Sequence, residues 1–429
     1  MTALATVTSA RSAVTVHRRL IAATVFVVFG LIDILVFGLF AHKGDATFAL
    51  ALPTSPVHVP SIHAPAAPVS YILGAASILI GVARATIDEP AWAKRLSIGA
   101  VLLFFVISLL CWADTGTWAN DIPVNVVSLL QNTLTASIPL ILGALAGCMG
   151  ERSGVINIAI EGQLLLGAFC AAIATSVTGS LWLGLVCGAL AGSLVGILLA
   201  LFAIAYRVDQ IVLGVVLNTL VLGLTGYLYN ALLTGTYSNT LNNPNTFNQL
   251  KIPLLGDIPI IGPVLFDGTV FLYITYIVLA GVQIGLTRTR WGLRTRAVGE
   301  HPVAADTVGI RVLAYRYRNV ILAGLIAGIG GAYFTIGSVG SFGPDMTSGE
   351  GYIALAAMIF GRYTPFGAIG AALLFGFTTQ LQSVLSSINV PIQSNLLLLT
   401  PYVVTIVVVA GLVGKVRGPR AEGVPFIKS

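Results

Sequence analysis

Of the 429 residues in this chain, 56% are hydrophobic and 9% charged, and the net charge is +6. Soluble domains carry roughly 25% charged residues, so these proportions exclude an ordinary soluble globular protein and point to a bundle of membrane helices. The 47 glycines suit helices packed closely in lipid, and no basic stripe with interleaved aromatics points to nucleic acid.

Residues 1–19 hold Arg11, His17, Arg18 and Arg19 ahead of an apolar run. The run from Leu20 to Phe40 is too long for the core of a signal peptide, and no A-x-A-like site follows closely, so it reads as a retained first span. Membrane helices need about 20 mostly apolar residues. Further runs follow at 69–84, 97–113, 124–148, 160–178, 182–206, 210–233, 269–287, 318–337, 366–387 and 397–415. A piece at 351–361 is too short to cross alone. The stretches 41–68 and 234–266, rich in Pro, Asn, Thr and Ser, read as loops.

Positive charge orients the list. Arg18 and Arg19, then Arg84, Lys94 and Arg95, then Arg152, Arg207 and the cluster Arg288, Arg290, Arg294, Arg296, Arg311, Arg316 and Arg318 mark the cytoplasmic side. The intervening loops hold only Lys43 and Lys251. The N-terminus is thus expected in the cytoplasm. The tail, with Lys415, Arg417 and Arg420, belongs there too if residues 345–361 cross as a short broken helix. The expected fold is all-α: a polytopic transmembrane bundle of about 11–12 segments with short broken helices. Four regions are expected: a cytoplasmic segment 1–19, a three-helix membrane extension 20–123, a functional core 124–415 and a basic tail 416–429.

The extension is generically apolar apart from Asp33, which lies in mid-span, where a carboxylate is costly. It reads as a satisfied helix–helix contact or a protonated acid, with a functional role as the sharper alternative. Cys111, Cys148, Cys170 and Cys187 lack C-x-x-C spacing and read as packing thiols, with no metal site. Gly184, Gly188, Gly192, Gly196 and the pair Gly330-Gly331 mark close helix packing. Arg207 and Asp209 read as a local ion pair or a membrane anchor.

The core carries the polar groups. Asn157 and Glu161, four apart, share a helix face, and both sit where a span breaks. Gln131, Asn132, Gln163 and Asn218 add amides within spans, and Glu350 opens a second break. Amides both donate and accept, which suits an uncharged, hydroxyl-bearing solute; interhelical bonding is the plainer reading for each alone. Ser153-Gly154 and Ser348-Gly349 each lead into an apolar helix from opposite sides, as an inverted repeat would.

The long loop reads Arg296-Ala297-Val298-Gly299-Glu300-His301-Pro302-Val303-Ala304-Ala305-Asp306-Thr307-Val308-Gly309-Ile310-Arg311. Pro302 suits a first helical turn and Gly309 a left-handed stop, leaving a short helix with a flat alanine face able to seat in a cleft of a soluble partner. A mere connector is the alternative.

This loop, G-x-x-P-x-A-A-x-x-x-G-I, resembles the coupling loop of ABC-importer permeases of the branched-chain amino acid, ribose and nucleoside superfamily. Gly150-Glu151-Arg152-Ser153-Gly154 through Glu161-Gly162 resembles the nucleoside-type branch. The stretch from Ala323 to Gly376, with Phe342-Gly343-Pro344, Gly349-Glu350-Gly351-Tyr352-Ile353 and Pro365-Phe366-Gly367, resembles the family's second half. The likeness covers roughly 124–415 and implies that the cytoplasmic loop 288–317 is the ATPase-coupling loop, through Gly299, Glu300, His301, Pro302, Ala304, Ala305, Gly309 and Ile310; His301 stands where many relatives carry Asn.

It also implies an inner-membrane importer subunit for nucleosides or simple sugars. Its partners would be a cytoplasmic ATP-binding cassette subunit, a second permease chain, an extracytoplasmic solute-binding protein or lipoprotein, and membrane lipid. No cofactor is expected on this chain, ATP and Mg residing on the partner. No phosphate-binding loop or nucleophile elbow appears, so the chain reads as no enzyme. An ion-coupled secondary transporter remains the rival, with Asp33 and Glu161 as its only acids well inside spans.

Overall fold

The computed structural model describes residues 19–40, 44–52, 59–87, 90–116, 123–235, 238–388, 390, 392–393, 396, 399 and 417–428. The expected span at 397–415 therefore lies outside the described residues apart from Leu399. Ten helices among the described residues are long and apolar enough to cross a membrane, and lipid leaves the backbone no other partner than its own turns. The chain divides into two compact units, one of residues 1–129 with 381–400 and one of 130–380 with 401–429.

The first unit holds α1 (Arg19–Gly38), α2 (Ala66–Thr86) and α3 (Ala91–Asp114). Close approach of α1 and α2 depends on glycine: a Cβ at Gly30 would stand 2.6 Å from the Gly74 carbonyl oxygen. The stretch 41–68 is more than the loop its composition predicts. Strands β1 (Asp45–Ala49) and β2 (Ile62–Pro65) pair antiparallel, Phe48 opposite Ile62, and β3 (Val124–Asn125) joins β1 in parallel. Ala46 is buried, and the Thr47 amide donates to Asp114 at 2.7 Å; this brief alternation is hidden among prolines in the sequence.

The second unit contains most of α4 (Val126–Glu151), then α5 (Ile160–Thr178), α6 (Leu181–Ala205) and α7 (Gln210–Leu233). Ser180 caps α6 through the Leu183 amide, and Asp209 caps α7 through Ile211 and Val212, so Asp209 acts on the backbone rather than on Arg207. The stretch 234–266, expected as loop, holds the short helices α8 (Ser238–Leu241) and α9 (Ile261–Phe266), and β4 (Gln249–Lys251) pairs with β5 (Asp267–Thr269). Next come α10 (Val270–Arg288), α11 (Arg290–Glu300), α12 (Pro302–Thr307) and α13 (Val312–Val339). The last two helices are α14 (Glu350–Phe360) and α15 (Pro365–Ser387). Helix α13 starts before the expected residue 318, because its first turns carry arginines that an apolar window rejects.

Helices α5, α6 and α13 each pack on the other two, and glycine lets them approach. A Cβ at Gly192 would lie 2.6 Å from the Gly328 Cα, and one at Gly167 would lie 2.6 Å from the Gly328 carbonyl oxygen. The end of this unit bearing Arg152, Arg207 and the 288–311 arginines is called the arginine-rich end below.

Helix α14 is a half-length crossing piece of about 16 Å. The Phe342 amide donates to Asn242 at 2.7 Å, beside α8 at one end of the bundle. The Arg152 Nε donates to the Tyr363 carbonyl at 2.8 Å, at the arginine-rich end. Residues 342–363 therefore traverse the bundle, as the broken-crossing expectation requires.

Candidate functional site

The two helix breaks meet. Residues 152–159 form the first, turned by Gly154 at φ +88°, and residues 340–349 form the second, turned by Gly340 at φ +75° and Gly349 at φ +83°. In the first, the Ile156 amide donates to Gln210 at 2.8 Å, and the buried amides of Asn157 and Gln163 bond reciprocally at 3.1 and 3.3 Å. One turn on, Asn218 of α7 accepts from the Gly162 amide at 2.8 Å and donates to the Ile158 carbonyl at 2.9 Å and the Tyr352 hydroxyl at 3.0 Å.

Glu161 binds the two breaks together. One carboxylate oxygen accepts from the Thr347 hydroxyl at 2.6 Å and the Gly349 amide at 2.9 Å, and the other accepts from the Gly351 amide at 2.6 Å. A carboxylate thus caps the positive end of α14. The glycine is required, since a Cβ at Gly351 would come within 2.5 Å of the Glu161 backbone.

Five of the seven expected pathway residues, Asn157, Glu161, Gln163, Asn218 and Glu350, thus gather at one junction. The other two do not. Gln131 donates to the Asp267 carbonyl at 2.9 Å, tying α4 to β5, and Asn132 is exposed on the side of α4. Most of the junction's polar capacity is spent internally. Among the described residues, Glu350 Oε2 and Gln210 Nε2 are the exceptions, buried at the junction without a partner. Tyr352 and Thr347 also belong to the junction. Tyr352 stands in the quoted Gly349–Ile353 motif, where its proximity to Glu350 was the available signal.

At the arginine-rich end, Thr289 caps α11, while the Trp291 indole donates to Asn319 and Asn319 donates to Thr295, both at 3.1 Å. These bonds fix the loop to α13. Helix α12 has Pro302 in its first turn and ends at Gly309 with φ +83°, as the sequence predicts. The expected alanine face needs correction. Ala305 is 3% exposed and points inward onto Val298, Val312 and Phe426; the outward face is Val303, Ala304, Thr307 and Val308. Two adjacent alanines lie about 100° apart around a helix, so they cannot both face a partner.

The tail 417–428 lies along this end and was missed as a structural element. The Ala421 amide donates to Gly299 at 2.9 Å, and the Gly423 amide donates to Gly154 at 3.2 Å. Arg316, read from sequence as a topology signal, is 1% exposed and donates to the Val424 carbonyl at 2.8 Å and the Ala421 carbonyl at 3.5 Å. The Arg420 amide donates to Glu300 at 3.4 Å. The tail thereby joins the 296–311 loop to the first break.

Glu422 of the tail hydrogen-bonds to Glu151 and Tyr363, so the acid pair shares a proton, with Arg152 alongside. Burial holds the Glu422 carboxyl above its usual range. The sign follows from linkage: the docked tail binds that proton more tightly than a free tail, so docking is strongest below the ordinary carboxyl pKa of 4.5 and weakens as pH climbs through the raised value. Amide hydrogen exchange across 417–428, corrected for its intrinsic pH dependence, should speed up over that window and flatten in Glu422→Gln. Equal profiles in the two proteins would remove the shared proton from the account.

Among the described residues no cluster of three or more His, Cys, Asp or Glu side chains forms a metal centre. The four cysteines are free thiols.

The family model described as branched-chain amino acid transport system / permease component matches residues 129–418. A guanosine ABC transporter permease protein of Bacillus subtilis is 39% identical over 315 residues, covering 71% of this chain and 98% of the relative. A nucleoside ABC transporter permease protein of Lactococcus lactis is 39% identical over 321 residues, covering 71% of this chain and 100% of the relative. A putative glucose ABC transporter permease protein of Haloferax volcanii is 32% identical over 271 residues, covering 62% of this chain and 80% of the relative. No solved structure matches the chain. Residues 1–128 fall outside the family match.

Proposed function

Because the chain belongs to the branched-chain amino acid transport system permease family, we propose that it is the membrane-spanning subunit of an ATP-binding cassette importer that carries nucleosides across the cytoplasmic membrane. The observation that carries the solute class is the match along essentially the whole length of two permeases named for guanosine and nucleoside transport. The ion-coupled alternative gives way to the family membership. Simple sugars are the second reading, favoured by the glucose-permease relative.

In this reading the arginine-rich end is cytoplasmic and the chain is a multi-pass subunit with its N-terminus inside. A cytoplasmic ATPase, holding ATP and Mg, seats the outward face of α12, and a second permease chain completes the pathway. An extracytoplasmic binding protein delivers solute at the opposite end. The Glu161 clamp holds the two breaks together, and the Asn157–Gln163 pair fixes the first. Glu350 Oε2 and the Tyr352 hydroxyl remain to meet the hydroxyls of a ribose, an uncharged donor-rich group. ATP binding and solute delivery shift the access equilibrium only by binding its two states unequally.

Uptake of labelled guanosine, uridine and ribose by cells with and without the gene tests this. Nucleoside uptake should disappear in the deletion, return on complementation, and collapse when ATP is depleted but not when the proton gradient is dissipated. Loss of ribose uptake alone would move the solute to sugars. Uptake that follows the proton gradient would remove the ATPase from the account.

A further inference from the structure

Helix α10 turns an apolar face outward. Ile277 is 71% exposed and Ile284 55%, and Gly281 lies between them on the same side. Gly281 leaves a notch in that face, since a Cβ there would meet nothing within 4 Å. The notch belongs to a groove of about 230 Å³ lined by Met149 of α4, Val278, Gly281 and Val282 of α10, Trp291 of α11 and Ile326 of α13. Met149, Val282 and Ile326 are buried and form its floor. No charged residue lines it.

One end of the groove is positive. The Trp291 ring lies against α10, where a Cβ at Gly285 would come 2.8 Å from its Cζ3. The Arg318 guanidinium stands over the same ring, 5.6 Å from its centroid. Arg318 is exposed, as are Arg288 and Arg290, which fall within the three residues before Trp291. No Asp or Glu occurs in 268–299 or 307–344, so α10 and α13 offer these arginines no counter-charge. Glu151, at the end of α4, is buried and bonded to Glu422. Tryptophan with arginine above it is the pairing found at headgroup level, where an indole has one apolar and one wet side. The depth agrees. Val278 lies ten residues before Arg288 and Ile326 eight after Arg318, so the groove reaches about 12–15 Å inward from the arginines. That is half of a hydrocarbon core about 30 Å thick, the share of one leaflet.

We propose that this groove binds an anionic phospholipid of the leaflet at the arginine-rich end. One acyl chain lies along Met149, Val282 and Ile326, and Arg318 meets the phosphate, with Arg288 and Arg290 adding positive charge at that level. Basic pockets between membrane helices select anionic headgroups in this way. A zwitterionic lipid would bring its own cation to the arginines and gain less. A second copy of the chain seated symmetrically here would bring the same arginines with it. The Trp291 indole also bonds Asn319, so a lipid held at this ring steadies the turn from α10 into α11. The site uses no residue of the junction, so its failure would leave the solute reading intact.

The test titrates purified full-length protein in detergent with phosphatidylglycerol or phosphatidylcholine of identical chains. Native mass spectrometry counts bound lipid, and light scattering gives the oligomeric state. The wild type should bind one phosphatidylglycerol per chain saturably, about tenfold more tightly than phosphatidylcholine. Gly281→Leu fills the notch without a clash, because its Cβ enters open space. It should weaken both lipids about tenfold, with oligomeric state and lipid-free unfolding midpoint unchanged. Arg318→Gln should weaken phosphatidylglycerol about fivefold and leave phosphatidylcholine as it was. Equal binding of the two lipids by the wild type would overturn the proposal, as would phosphatidylglycerol binding that survives either substitution unchanged. Dissociation of a permease pair by Gly281→Leu would assign the groove to a second copy of the chain and overturn it too.

Discussion

Glu161→Gln is expected to abolish solute uptake while the protein still reaches the membrane. The carboxylate gathers three donors from the second break, at 2.6, 2.9 and 2.6 Å. A glutamine keeps one acceptor oxygen. If that oxygen takes Thr347 and Gly349, the amide hydrogens face the Gly351 N–H; if it takes Gly351, they face the Gly349 N–H. Either way a buried donor meets a donor. Hydrogen bonds to charged groups contribute about 1.5–3 kcal/mol, so roughly 3 kcal/mol is lost at the junction, about a hundredfold in the equilibrium that keeps α14 seated on α5. Ala354 and Met358 also pack α14 against Gly143 and Gly147 of α4, so this loss loosens the N-terminal end of the broken crossing rather than one side chain alone.

Gly351→Ala offers an independent approach to the same contact from the α14 side of the junction, since its methyl would collide with the Glu161 backbone. Uptake assays with quantified membrane protein, together with unfolding midpoints, check both. Wild-type uptake in Glu161→Gln would mean that the three hydrogen bonds do not hold the breaks during transport.

What was legible in the sequence follows from how local each signal is. Membrane spans are set by composition over about 20 residues, and the short helix α12 by Pro302 at its start and Gly309 at its stop, so both were visible. The meeting of the two breaks was half visible. Their paired Ser-Gly starts suggested symmetry, but nothing local says that Glu161 reaches residues 347–351. Gln131 and Asn132 looked like Asn157 and Gln163 because an amide in an apolar run carries no label for the neighbour it meets. Arg316 was invisible for a deeper reason: charge counting treats every arginine near a span as solvated, and only the folded tail gives this one carbonyls to bind. Ala305 shows the same limit, since a small residue suits an outer docking face and a tight internal contact equally.

Arg316→Ala should release the tail and uncouple the importer. The guanidinium holds the carbonyls of Val424 and Ala421, and loss of these charge-assisted bonds should cost about 1.5–3 kcal/mol, a shift of roughly 10- to 150-fold toward the undocked tail. Undocking strips Phe426 from the pocket it shares with Val298, Ala305 and Val312, so α12 loses the packing beneath its inner face. It also breaks the Ala421–Gly299 and Gly423–Gly154 backbone bonds, which are the tail's direct link between the 296–311 loop and the first break. A partner seated on Val303, Ala304, Thr307 and Val308 would then push on a helix that yields instead of transmitting. Hydrogen exchange across 417–428 should accelerate by a similar factor, and uptake should fall more steeply than ATP hydrolysis by the assembled complex. Arg316→Lys should restore little, because one ammonium cannot reproduce a planar fork reaching two carbonyls. Phe426→Ala should reproduce the uncoupling without touching the buried charge. If exchange accelerates while uptake and hydrolysis stay matched, the tail is only packed against the loop and the coupling passes through α12 and α13 alone.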